Sequence, residues 1–230
     1  GASLQAGYST TYPALWLQQN SPKRTMSIQE RTSWSCHHGV TRWMDECGCT
    51  PGDGRWKAYL RQGLNRLAAA IDTLYVEQLL SIKIDPWKIR NEYIQVILGN
   101  ATLADVAGGI IGKRLPAEQL NLLSLLLEAQ RHRQQMFMSC GWFFDDFSRI
   151  EPRNNVAYAA QATWLTHLAT GVDLTSLAMA WLRPVKSWRS GLRGDVVFSQ
   201  FFQRAKSGRY LRYPRLGLVL STEPDSNLLT

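Results

Sequence analysis

The stretch RWKAYLRQGLNRLAAAIDTLYVEQLLSI, Arg55 to Ile82, decides the fold class. Trp56, Leu60, Leu64, Leu67, Ile71, Leu74 and Leu79 recur at steps of three to five. That repeat gathers side chains on one face of an α-helix, so an amphipathic helix running to about Ile82 is expected. Downstream, Asp85-Pro86 marks the next start: Asp caps free amides, and Pro occupies the first turn, where its missing N–H costs nothing. That helix runs through Trp87, Tyr93, Ile94 and Ile97 and ends near Gly99. Thr102 to Asp105 reads as a capping box before a short helix interrupted by Gly108 and Gly109. Pro116 opens a long helix to about Cys140, apolar at first and polar over Glu128 to Gln135. Another spans about Pro152 to Ala169 and stops at Gly171, a left-handed cap. Shorter helices follow near Leu174 to Arg183 and Asp195 to Ala205, and Leu216 to Leu220 is the one strand-like run.

The class is therefore mainly α: a multi-helix, bundle-like domain with an irregular Cys/His/Trp-rich N-terminal loop segment. Residues 1–30 read as an irregular lead-in, 31–206 as the helical domain and 207–230 as a tail. A chain of 230 residues with 45% hydrophobic and 19% charged content can bury a sizeable core, about 70–75% of its unfolded surface. The densest apolar run, Leu122 to Leu127, is far short of the ~20 residues a membrane helix needs, so no membrane partner is expected. The opening GASLQAGYST has neither an initiator Met nor the basic and apolar regions of a signal peptide. A cytoplasmic piece of a longer polypeptide is the expectation.

Charge is concentrated. Arg183, Lys186, Arg189, Arg193, Arg204, Lys206, Arg209, Arg212 and Arg215 are opposed only by Asp195, so this segment carries the whole net charge of +8. Trp188, Phe198, Phe201, Phe202, Tyr210 and Tyr213 interleave with it. Such a stripe suits an anionic surface, but no nucleic-acid recognition motif accompanies it, which argues against a nucleic-acid partner.

Two segments hold most of the reactive side chains. TSWSCHHGVTRWMDECGC, Thr32 to Cys49, carries three of the four cysteines, two of the four histidines and two of the nine tryptophans. SCGWFFDD, Ser139 to Asp146, carries the fourth cysteine, Trp142 and paired carboxylates. Cys36, Cys47 and Cys49, with Cys140 folded alongside, would make a tetrahedral zinc set. Against this, no C-x2-4-C pair is present, and Cys47 and Cys49 are only two apart, which is expected to strain one tetrahedron. Disulfides are a further option, without a secretory signal to favour them. Buried free thiols are the reading the sequence favours, so no cofactor is required, with zinc as the candidate metal. Of the neighbours His37 and His38, at most one can face a site. Trp142, Phe143 and Phe144 beside Asp145 and Asp146 could stack sugar rings and accept hydroxyls, or fill the core and cap the next helix. No phosphate loop, dinucleotide fingerprint, nucleophile elbow or HExxH pattern occurs.

TSWSCHHGVTRWMDECGC, the W-x3-L-x3-L helix, DPWKIRNEYIQVIL at Asp85 to Leu98 and MSCGWFFDDFSRIE at Met138 to Glu151 together resemble the helical C-terminal region of family 57 glycoside hydrolase-like proteins, in the subgroup with an appended domain of unknown function. The resemblance runs from about Arg31 to Ala205. It implies a non-catalytic helical part of an α-glucan-active hydrolase or transglycosidase, supporting a catalytic barrel that brings the nucleophile and acid. Neither of those motifs is found in this chain. The implied partners are that barrel and an α-glucan, and the implied substrate-binding residues are Trp34, His38, Trp142 and Asp145, with Cys36 and Cys140 beside them. The alternative is a structural or zinc-stapled interaction module with no enzymatic role.

Overall fold

The computed structural model describes residues 5–208. Helix α1 (Pro13–Gln19) lies in the lead-in, which the sequence reading leaves irregular; Pro13 sits at its first turn and none of its residues is buried. A 3-10 turn at Thr41–Trp43 crosses the Cys/His segment. The helical domain follows as α2 (Trp56–Ser81), α3 (Pro86–Ile97), α4 (Leu103–Ile111), α5 (Ala117–Gln135), α6 (Cys140–Phe143), α7 (Ile150–Thr170), α8 (Thr175–Leu182) and α9 (Gly194–Lys206). Among the described residues there is no strand, only an isolated bridge between Lys186 and Arg193. No described helix is long and apolar enough to cross a membrane. The strand-like run at Leu216 to Leu220 and most of the tail lie outside the described residues.

Local chemistry sets the boundaries. The Asp85 carboxylate accepts from the Trp87 and Lys88 amides and caps α3. Thr102 and Asp105 form a reciprocal capping box on α4. Gly171 ends α7 in the left-handed region, φ 73°. The long helix predicted after Pro116 stops at Gln135, and α6 forms separately after a short turn.

The first half of α2 (Trp56, Leu60, Leu64, Leu67) packs with Trp142, Phe147, Ala159, Leu182, Val197 and Phe198 in one core. Its second half (Tyr75, Leu79) packs with Ile84, Ile89, Tyr93, Leu123 and Leu126 in another. Helix α2 is thus the spine that joins both. Helices α5 and α7 form the most extensive helix pair, followed by α7 and α9. Close approach of α2 to α8 requires Gly63, since a Cβ there would lie 2.8 Å from the Trp181 carbonyl oxygen. The polar half of α5 is partly buried, at Glu128 and Gln130, while Arg131 and Gln134 are exposed. Tyr93 donates to Glu128 Oε1 at 2.5 Å, and Gln130 and Arg133 both reach Asp72.

Candidate metal centre

Two tight turns bring the ligating atoms together. The Gly39 amide donates to the Cys36 carbonyl at 3.1 Å, with Gly39 at φ 67°; a Cβ there would meet the Arg31 carbonyl oxygen at 2.5 Å. This turn puts Cys36 and His38 on one side. The Thr50 amide donates to the Cys47 carbonyl at 2.8 Å, and this second turn does the same for Cys47 and Cys49. The 3-10 turn between them folds one pair over the other.

Cys36 Sγ lies 3.5 Å from Cys47 Sγ and 3.8 Å from Cys49 Sγ. His38 Nδ1 is 3.7, 3.5 and 3.3 Å from the sulfurs of Cys36, Cys47 and Cys49. A tetrahedron with Zn–S of about 2.3 Å and Zn–N of about 2.0–2.1 Å has S···S edges of about 3.8 Å and S···N edges of about 3.6 Å. The observed edges match, and all four donor atoms lie within 4.8 Å of one another. Cys36, His38, Cys47 and Cys49 could therefore hold a metal ion. Cys47 and Cys49, only two apart, both bring their sulfurs into the group at the turn over Cys47–Thr50.

Electrostatics point the same way. Burial pushes the Cys36 thiol up, but the His38 amide and hydrogen bonds from Cys47, His38 and Cys49 outweigh it and bring the thiol down to about 7. Cys49 is pushed up, chiefly by its hydrogen bond to Cys36, then by burial and by the like charge of Cys36. Ionising Cys36 thus opposes ionising Cys49.

The structure corrects the residue set expected from the sequence in three places. Cys140, expected as the fourth ligand, is exposed at the start of α6 and is not part of the cluster. His38, expected on a sugar, supplies the fourth donor instead, while His37 is not among the donors. Trp142, expected as a stacking platform, has no exposed surface, and its indole N–H donates to the Lys57 carbonyl at 3.3 Å. Of the remaining candidates, Trp34 is 97% exposed beside Cys36, and Asp145 pairs with Arg189. All four cysteines are free thiols.

The two reactive segments do meet. Trp43 Nε1 donates to the Ser139 carbonyl at 3.1 Å, and the Arg42 guanidinium lies over the Phe143 ring at 5.2 Å. Asp146, singled out with Asp145, is fully buried and accepts from the Ser148 amide, Ser187 Oγ and the Trp188 amide. It ties the chain after α8 to the chain before α7.

Two features escape a reading of the sequence. Lys57, beside the apolar stripe of the Trp56-led pattern, is fully buried, donates from Nζ to Thr50 Oγ1 at 2.8 Å and lies 5.6 Å from the centre of the Trp56 ring. Burial and the Arg42 charge push its ammonium down to about 8, against the pull of Cys47, Asp145 and Cys36. The second feature is a cleft lined by Asp53, Arg55, Tyr59, Lys186, Ser187 and Trp188. Its wall after Cys49 is fixed by Gly52, where a Cβ would meet Trp188 Cε2 at 2.4 Å. Trp188, set between Lys186 and Arg189 in the basic segment, was the available signal. Within the basic segment, Arg189 pairs with Asp145 and Arg193 with Asp195, so part of its charge is neutralised; Arg209, Arg212 and Arg215 lie outside the described residues.

Among known proteins, the family described as a domain of unknown function, DUF3536, matches residues 53–208, from just past Cys49 to just past α9. No curated protein and no solved structure matches the chain.

Proposed function

The chain belongs to the DUF3536 family, a domain of unknown function, and from that premise we propose that it is a non-catalytic helical module stapled by zinc. The zinc is held by Cys36, His38, Cys47 and Cys49 and cross-links the loop before α2 to itself, fixing its two turns against each other. The observation that carries this reading is the set of four donors whose spacings fit a closed tetrahedral site. Three sulfurs and an imidazole are the donor types zinc favours, and four protein ligands leave no open position for a reacting water. The metal's role is then structural: metal binding supplies folding free energy to a loop that has few apolar contacts of its own. The chain purified without added metal should contain one zinc per molecule by elemental analysis. A chain that holds none, and gains none on zinc titration, would sink the reading.

A second reading places this module within an α-glucan-active protein, lending a wall to the carbohydrate cleft of a neighbouring barrel. The family 57 resemblance of the quoted motifs supports it. So does the cleft beside the cysteine turns, where the half-exposed rings of Tyr59 and Trp188 flank Asp53, Arg55 and Lys186. Rings that stack on sugar C–H faces, beside groups that donate to and accept from hydroxyls, suit a glycan. Binding of a maltooligosaccharide, weakened by Trp188→Ala with the helices intact, is the expected result. Unchanged binding in that variant would remove the cleft from the account.

A further inference from the structure

Lys57 is the only buried Lys or Arg among the described residues. Its ammonium has one hydrogen-bond acceptor, Thr50 Oγ1 at 2.8 Å, and no described carboxylate lies within ion-pair distance. Asp145, whose field reaches it, is engaged by Arg189. Burying a cation in this way is strongly unfavourable unless an anion compensates it. Thr50 belongs to the turn that closes on the Cys47 carbonyl, so the ammonium is anchored against the turn that presents Cys47 and Cys49.

A divalent ion bound by three thiolates and one neutral imidazole keeps one net negative charge. That charge and the lysine are complementary, and each is costly to bury without the other. We propose that Lys57 is the counter-ion of the Cys36, His38, Cys47 and Cys49 centre, balancing the net charge of the bound ion and its ligands and locking the cysteine turn to the first turn of α2. The proposal rests on the metal-centre reading above. Lys57 touches no ligand atom; it acts as a positioning and charge-balancing residue. The same pairing explains how a lysine sits among core residues on a helix whose other buried side chains are almost all apolar.

The test is a competition titration of Zn²⁺ against a chelator of known affinity, using the full chain, with helicity followed by circular dichroism. Lys57→Gln removes the charge and keeps a donor for Thr50; Lys57→Arg keeps the charge. Lys57→Gln should weaken zinc binding on the order of tenfold, in the range seen when groups behind metal ligands are removed, and Lys57→Arg by clearly less. The decisive arm repeats Lys57→Gln in a Cys49→His background, where two thiolates and two imidazoles make the centre neutral; there the loss should be much smaller. An equal loss in both backgrounds, or none in either, would show that Lys57 serves packing alone and overturn the proposal while leaving the zinc site standing. A parent chain that binds no zinc would instead remove the metal reading, and this proposal with it. Should Lys57→Gln fail to fold, Lys57→Met carries the same comparison, and zinc restoring the fold of Lys57→Arg but of neither uncharged variant supports the counter-ion role.

Discussion

Residues 32–49 and 138–147 both concentrate cysteine and aromatic side chains, yet they settle into opposite arrangements. The first turns three sulfurs and an imidazole toward one another and leaves Trp34 in solvent. The second turns Trp142 and Phe147 into the core, buries Asp146 among hydrogen-bond donors, and leaves Cys140 at the surface with no described ligand beside it. Composition does not separate a ligand set from a packing wedge. What separates them is whether backbone turns converge the polar atoms or a helix carries the rings inward. In the first segment two turns, each closed by one amide, do the converging. In the second, α6 packs on α7 and carries the Trp142 ring into the core, where its N–H reaches the Lys57 carbonyl, while the Phe143 ring stays partly exposed.

The contrast is broken most forcefully at the thiols. Cys36→Ser or Cys47→Ser should abolish stoichiometric zinc and strip hydrogen-exchange protection from residues 36–55, since structural zinc contributes about 10 kcal/mol or more to small metal-stabilised folds. Cys140→Ser should leave both properties unchanged. Equal effects at Cys140 would place the wrong segment at the centre.

Next comes the core of the second segment. Trp142→Ala removes a fully buried indole and should cost about 3–5 kcal/mol in urea denaturation. Trp34→Ala, at 97% exposure, should stay within about 0.5 kcal/mol. Similar costs at the two tryptophans would mean that Trp34 is covered in solution.

Acid sharpens the comparison further. Burial holds His132 down at about 4, against an ordinary value of 6.5, with the Arg131 charge adding to the effect. The unfolded chain binds that proton first, so stability should fall as pH drops from about 6.5 to about 4. Burial pushes Asp146 up, but hydrogen bonds from Ser148 and Ser187 outweigh it and hold the carboxyl below its ordinary range. Its contribution is present above about 3.9 and is lost below that, as pH falls through the lowered folded value. Denaturation midpoints across pH should show the first loss vanish in His132→Leu and the second in Asp146→Asn. A small effect is expected at Arg189→Ala as well. The pair with Asp145 is partly exposed, so stability should change by no more than about 1 kcal/mol.

Much of the fold is legible in the sequence, for identifiable reasons. Helices α2, α3, α4 and α7 have strong periodicity or local caps, and Asp85, the Thr102–Asp105 box and Gly171 act where the sequence puts them. Helix α1 is not visible there, because with no buried residue it has no apolar stripe to read. Three of the four donors are visible as cysteines, and the choice between Cys140 and His38 is not. It depends on the left-handed turn at Gly39 and on the course of α6, both of which are three-dimensional facts. Burial of Lys57 is hidden for a related reason: spacing places it beside the apolar stripe, and its contact with Thr50 of the cysteine turn is a three-dimensional fact.

The centre also has an unusual sequence economy. Its four donors come from one short run of chain, Cys36 to Cys49, with no contribution from any helix. Ion capture thus requires no long-range loop closure, and a nascent polypeptide could load its metal while the bundle is still unmade. The loop would then be closed on itself before the helices that follow it are assembled.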